Sequence, residues 1–301
     1  MDNLDHSQPM LSRNIIASAH INFLFGAGVN GGALSQLDGF EKTKEKIEEL
    51  GGKIEEGIES GIDEIEDEGK RSKIKETFIE ELKGFCKEAK TEDTWENPSL
   101  INLRLLLAKT YSIVHETQNR NPSMKQVNIF TLNYDDIVER SLSYLGYFYN
   151  AISASNTATK AAMMNVIGYD YTSKKCIPSF MVSKLHGDID KPIIPGKTKY
   201  RDMLNEDYFE VAFNMKSQLC RMNSILIVIG YSGKDNHINK ILQDCINSGL
   251  TIYWYKYEKD DKVPFEDSQV IIRDQNEENK QDTTKNCYED LKKAWEKKSE
   301  E

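Results

Sequence analysis

Four short segments, far apart in the chain, hold the residues best suited to chemistry. They are Phe25-Gly26-Ala27-Gly28-Val29-Asn30, Thr131-Leu132-Asn133-Tyr134-Asp135, Lys184-Leu185-His186-Gly187 and Ile229-Gly230-Tyr231-Ser232-Gly233-Lys234-Asp235. His186 offers an imidazole, the side chain best matched to proton transfer near neutral pH. Of the five histidines it alone stands at a strand end beside glycine; His6, His20, His115 and His237 read as structural or surface residues. Asn133 offers an amide that could orient a ribose hydroxyl or a water, although an Asn there can equally cap the next helix. Asp135 leaves the same choice between first-turn helix charge and ribose contact. Gly26 to Gly31 fits the pattern G-x-G-x-x-G after a strand, where glycines let backbone N–H groups approach a pyrophosphate. Gly230-Tyr231-Ser232 forms a second turn able to face a nucleotide, with Asp235 capping the helix that follows.

Each segment sits at or just after an apolar stretch: Ile21–Phe25, Val127–Thr131, Phe180–Leu185 and Ile225–Ile229. Such stretches predict buried strands, and ligands of open α/β sheets bind where parallel strands end. Residues 11–20 predict a short helix, and Gly31–Leu37 can open another. In 41–90, rich in Glu and Lys, Ile47, Leu50, Ile54, Ile58, Ile62 and Ile65 recur at helical spacing. Gly51, Gly52, Gly57, Gly61 and Gly69 oppose it, each by up to about 1 kcal/mol relative to Ala. A second helix is expected over Ile74–Cys86, and a third after the start signal Asn97-Pro98-Ser99. Residues 41–120 thus form an all-helical insertion between the first two strands of a single domain spanning 1–301. Helices over Asp136–Leu145, Glu206–Met222 and Asn236–Asn247, strand Thr251–Tyr255 and a closing helix at Tyr288–Trp295 complete the alternation. The polar stretch 258–285 is expected to be partly mobile. The fold class is α/β, a Rossmann-like parallel sheet covered by helices on both faces.

A chain of 301 residues with a formal charge of −10 is ample for a packed core and ill suited to general nucleic-acid binding. Five scattered cysteines, never in a Cys-x-x-Cys pair, argue against a disulfide framework or a tetrahedral zinc site. The start shows no signal-peptide pattern and the longest apolar run is far too short to span a bilayer, so a cytoplasmic protein is expected. A dehydrogenase would place an acidic residue at the end of a second strand about 20 residues after the glycine turn. Here that window falls at Glu45–Glu49, in a helical run, which disfavours an oxidoreductase.

Taken in order, the four segments resemble the sirtuin-like NAD-binding family, and more closely the bacterial sirtuin-like domains of antiphage defence systems. The resemblance implies that Gly26, Ala27 and Gly28, with Asn30, meet the NAD pyrophosphate side, and that Thr131, Asn133 and Asp135 line the nicotinamide–ribose end. It makes His186 the catalytic histidine beside Gly187, and places Gly230, Tyr231 and Ser232 against the nucleotide. Two departures are plain. Deacylating sirtuins carry zinc on two Cys-x-x-Cys pairs, and follow their glycine turn with Gly-Ile-Pro-Asp-Phe-Arg; this chain has Gly31-Gly32-Ala33-Leu34-Ser35-Gln36 there and no such pairs.

The resemblance, with these departures, implies hydrolysis of NAD to nicotinamide and ADP-ribose, with NAD as substrate, Asn133 and His186 as catalytic residues and no metal. A non-catalytic NAD or ADP-ribose sensor that signals through assembly is the alternative from another class, and a zinc-free deacylase the third. The family context implies a homo-oligomer, and pairing with a HerA-type ATPase or a separate sensor protein, without direct nucleic-acid or membrane contact. The isoleucine stripe Ile47–Ile65 is the candidate for an oligomer contact or lid; packing on its own domain is the equal alternative.

Overall fold

The computed structural model describes residues 11–33, 39–55, 57–88, 95–117, 120–147, 149–153, 156–161, 168–170, 175–193, 206–257, 261–273 and 282–296. Strands with no polar alternation build its centre. Val127–Thr131 and Ser224–Ile229 are buried at every position, as expected for strands covered on both faces. In chain order the strands are β1 (His20–Phe25), β2 (Val127–Thr131), β3 (Tyr149–Ser153), β4 (Asn156–Ala161), β5 (Gly168–Asp170), β6 (Lys175–Ile177), β7 (Phe180–Lys184), β8 (Ser224–Ile229), β9 (Thr251–Tyr255) and β10 (Val270–Arg273). β5 and β6 form a separate two-stranded ribbon. The other eight make one sheet in the order β10-β9-β8-β1-β2-β7-β3-β4. Every neighbouring pair in it is parallel except β3 with β4. The expected Rossmann-like sheet is present.

The helices are α1 (Arg13–Ser18), α2 (Glu41–Glu49), α3 (Ile58–Asp63), α4 (Glu68–Glu88), α5 (Pro98–Glu116), α6 (Ile137–Tyr144), α7 (Glu206–Leu219), α8 (Asn236–Ile246) and α9 (Thr283–Glu296). The pleat sends Phe23 and Phe25 of β1 to one side of the sheet and Leu24 to the other. Phe23 and Phe25 meet Leu103 and Leu107 of α5 and Leu291 of α9 in one core; Leu24 joins Met215 of α7 and Leu242 of α8 in the second. From β1 the chain runs to β2 and on to β7, then returns to set β8 on β1's other side. That reversal is the switch point where such sheets open a ligand crevice.

The helices between β1 and β2 divide into two groups. α5 belongs to the sheet's own core, whereas α2, α3 and α4 enclose a separate one of Ile47, Ile58, Ile62, Ile65, Ile74 and Phe78. Ile47, Ile58, Ile62 and Ile65 of the isoleucine stripe therefore pack on their own unit, with Leu50 and Ile54 partly buried against it. The stripe is also not one helix: Gly51 and Gly57 take φ of +96° and +99°, left-handed values that interrupt the run between α2 and α3.

The closing helix begins at Thr283 rather than Tyr288, and the polar stretch 258–285 holds a strand not foreseen there, β10, which pairs in parallel with β9. Strand β10 escaped notice because four residues among many charges carry too little periodicity. The turn after β1 is a 3-10 helix at Ala27–Asn30, followed by Gly31 and Gly32 in left-handed conformation. Most of the helix expected at Gly31–Leu37 (residues 34–37) lies outside the described residues. Among the described residues no helix is long and apolar enough to cross a membrane.

Candidate active site

β1, β2, β7 and β8 are adjacent and parallel, so the segments following them gather at one edge of the sheet. There they line a cleft of about 690 Å³, within the usual range for a small-molecule site. Gly26, Ala27, Gly28 and Asn30 from the first segment lie on it, with Asn133 and Asp135 from the second. His186 comes from the third, and Gly230, Tyr231 and Ser232 from the fourth. Thr131 and Gly187 stand behind this lining: the Thr131 hydroxyl accepts the Asn133 N–H at 3.1 Å, and Gly187 turns the chain at φ +80°.

The two glycine turns interlock backbone to backbone. A Cβ on Gly26 would meet the Gly230 carbonyl oxygen at 2.3 Å, and one on Gly230 would meet the Val29 nitrogen at 2.3 Å. The N–H of Gly26 donates to the Ile229 carbonyl at 3.0 Å, and that of Gly28 to the Gly230 carbonyl at 3.1 Å. This corrects the picture of both amides aimed at a pyrophosphate. What Gly26 and Gly28 provide is close approach and a rigid rim.

Asn133, almost fully buried, donates from Nδ2 to the Gly26 carbonyl at 3.2 Å, leaving Oδ1 as the acceptor on offer. Asn30 donates from Nδ2 to Asp135 Oδ2 at 3.0 Å, which settles the orientation of its amide. Its Oδ1 is then a buried acceptor with no hydrogen-bond partner among the described residues. Such an orphan at the wall of a cleft suits a ligand hydroxyl or amide donor. Asp135 Oδ1 accepts the Ile137 N–H at 3.0 Å and holds the start of α6. Burial pushes the Asp135 carboxyl above the ordinary carboxylate range, against the pull of the Lys184 ammonium, the Ile137 N–H and the Asn30 amide. Lys184, also buried, donates to the Tyr134 carbonyl at 3.3 Å and the Asp135 carbonyl, and pairs with Glu139 at 3.1 Å. Burial opposes its charge, but the Glu139 and Asp135 carboxylates outweigh that and hold its pKa above the ordinary lysine value. A buried ion pair thus fixes the segment that carries Asn133.

His186 has a partner that sequence reasoning set aside. Its Nε2 lies 3.2 Å from Nε2 of His237, both rings are buried, and Asp235 Oδ1 is 3.8 Å from the same nitrogen. Asp235 precedes α8 and His237 lies in its first turn. The available signal was the spacing Asp235-x-His237 at a helix start beside a strand-end turn. That His186 comes to face it is a tertiary fact. A second omission is the opposite wall, where Phe40, Ile58, Leu82 and Phe85 of the helical unit close over the cleft.

Fold and site together define a nucleotide-binding α/β domain of the doubly wound type. The model of the SIR2-like domain family matches residues 127–284, just over half of the chain, and the chain belongs to that family. The family is one of NAD-dependent enzymes that use NAD as substrate. The match takes in Asn133, His186 and Gly230 but begins after Gly26–Asn30, which the sheet brings alongside. No curated protein matches the sequence. Among solved structures, one described as "Structural Basis for the Mechanism and Regulation of Sir2 Enzymes" is similar with a TM-score of 0.43 and 12% identity, covering 93% of this chain and 95% of that one. The orphaned Asn30 acceptor and the Cβ-free rim both suit a bound NAD.

Proposed function

We propose that this chain hydrolyses NAD to nicotinamide and ADP-ribose. The observation that carries the reading is the convergence of Asn133 and His186, from neighbouring strand ends, on the cleft rimmed by Gly26, Gly28 and Gly230. NAD supplies a C–N bond already weakened by its pyridinium charge, so the leaving group needs no protonation. The protein's task is to hold the ribose, shield developing positive charge and position water. The rim holds the dinucleotide in register, so that binding energy becomes orientation of the reacting carbon. Asn133, anchored through Nδ2 on Gly26, orients the ribose or the water with its Oδ1. His186 takes the proton, and the Asp235 carboxylate at 3.8 Å stabilises the imidazolium that results. His237 at 3.2 Å governs which His186 nitrogen carries hydrogen. Asp135 acts chiefly by fixing Asn30 and α6. The absence of paired Cys-x-x-Cys motifs argues for water rather than an acyl-lysine as acceptor.

The same proposal includes NAD depletion in antiphage defence by a cytoplasmic homo-oligomer, paired with a HerA-type ATPase or a separate sensor protein. The test is NAD consumption by the purified full chain. Nicotinamide and ADP-ribose are expected products; His186→Ala should lower turnover on the order of 10²–10⁴-fold. Asn133→Ala should abolish detectable hydrolysis, with the melting profile of both variants preserved. Unchanged turnover in both variants overturns the proposal. Saturable NAD binding without turnover by the native chain would replace it with the sensor reading.

A further inference from the structure

His186, Asp235 and His237 do more than pair a base with its neighbours. Each offers one ligand atom, and the three atoms lie within 4.8 Å of one another. The two ring nitrogens face each other at 3.2 Å, so either a hydrogen carried by one ring and accepted by the other, or a metal ion, lies between them. A single hydrogen held between the two nitrogens is one answer. A metal ion is the other, and the third donor is an anion. The distances favour it: with Zn–N bonds of roughly 2.0–2.1 Å, the edge of a tetrahedron between two ligand nitrogens is about 3.3–3.4 Å. The observed 3.2 Å is close to that edge without any rearrangement, and the 3.8 Å from His186 to Asp235 needs only a small carboxylate shift. Two imidazoles and a carboxylate are a donor set that suits zinc and similar borderline ions and leaves a fourth position open. The positive end of the α8 dipole opposes a cation there, and the Asp235 charge offsets it.

We propose that His186, Asp235 and His237 form a binding site for a Zn2+-type divalent ion, and that its occupation silences the cleft. The ion uses the lone pair that links His186 to His237, and its charge suppresses uptake of a proton by the imidazole, so His186 cannot act as base while it is bound. The ion is an inhibitor of the reaction proposed above, not its cofactor. The silencing rests on that reading, whereas ion binding does not.

The experiment titrates the metal-stripped full chain with Zn2+ against a chromophoric chelator, then repeats the titration with Co2+ followed by its visible absorption. One ion per chain is expected, with a Co2+ spectrum lacking a thiolate charge-transfer band. Loss of an outer partner of a metal ligand typically costs 10–100-fold, so His237→Ala, His186→Ala and Asp235→Asn should each weaken binding by at least about 100-fold. Thermal melts establish that each variant is folded. Cys220→Ser is the control, because Cys220 and Cys245 have their sulfurs 3.2 Å apart and are the competing zinc ligands. NAD turnover by the native chain should fall in step with occupancy and return on adding EDTA. Absent saturable binding, binding unchanged in the three variants, or binding lost in Cys220→Ser overturns the site. Turnover that persists at full occupancy overturns the silencing. A chain that binds Zn2+ as expected but never hydrolyses NAD overturns the hydrolase reading and the silencing with it, and leaves the ion site standing; one that hydrolyses NAD without binding Zn2+ overturns this inference alone.

Discussion

The two walls of the cleft are built by different physics. The sheet wall is set by backbone: parallel ladders place β1, β2, β7 and β8 side by side, and the turns after β1 and β8 touch main chain to main chain through Gly26, Gly28 and Gly230. The helical wall is set by side chains, with Phe40 stacked on Phe78 at 5.0 Å above a core of isoleucines. Every residue placed in the chemistry belongs to the first wall. Backbone ladders hold positions finely, as proton transfer demands, whereas an apolar wall needs only shape and can be built of interchangeable side chains. The difference predicts that damage to the sheet wall removes stability or turnover, and damage to the helical wall removes affinity.

Lys184→Ala is the most severe test of that contrast for stability. It leaves Glu139 buried without its cation, so urea unfolding should show a loss of about 3–5 kcal/mol. Lys184→Met combined with Glu139→Leu should recover most of it. A loss below 1 kcal/mol in the single variant would mean the pair does not hold the Asn133 segment.

Phe85→Ala probes the other wall. Phe85 faces the cleft and packs edge-on against Phe40 at 4.9 Å. Removing a partly buried aromatic forfeits about 1.5 kcal/mol of apolar contact, so KM for NAD should rise about tenfold with kcat nearly unchanged. A fall in kcat at constant KM would show that the helical wall takes part in the chemistry and would erase the distinction.

The smallest effect concerns acid. His20, at the start of β1, has its pKa lowered by burial, and further by Arg221 and Arg120. The unfolded chain therefore binds a proton that the folded chain resists, and stability must fall as pH drops through the ordinary histidine range. His20→Gln should flatten that part of the stability curve measured by thermal melts. An unaltered slope would assign the pH dependence to other groups, His115 among them, whose pKa burial also lowers.

Much of the sheet wall was legible because its constraints are local. An all-apolar run followed by Gly26-Ala27-Gly28, or by Gly230-Tyr231-Ser232, identifies a strand and its turn whatever the rest of the chain does. The helical wall was half legible. The isoleucine spacing announced helices, but spacing cannot tell a face that packs on its own unit from one meeting a second chain. His237 was missed for a related reason: its neighbours in sequence describe only a helix start, and its chemical neighbour is 51 residues away.

The amino-acid sequence by itself determined the parallel sheet and the strand-end location of Asn133 and His186, since hydrophobic runs and glycine turns act over a few residues. Only the tertiary structure decided that the amides of Gly26 and Gly28 face inward, that Asn30 is held by Asp135, and that His186, Asp235 and His237 meet. Those contacts depend on which strands lie side by side, and strand order is chosen by the packing of whole faces rather than by any single segment.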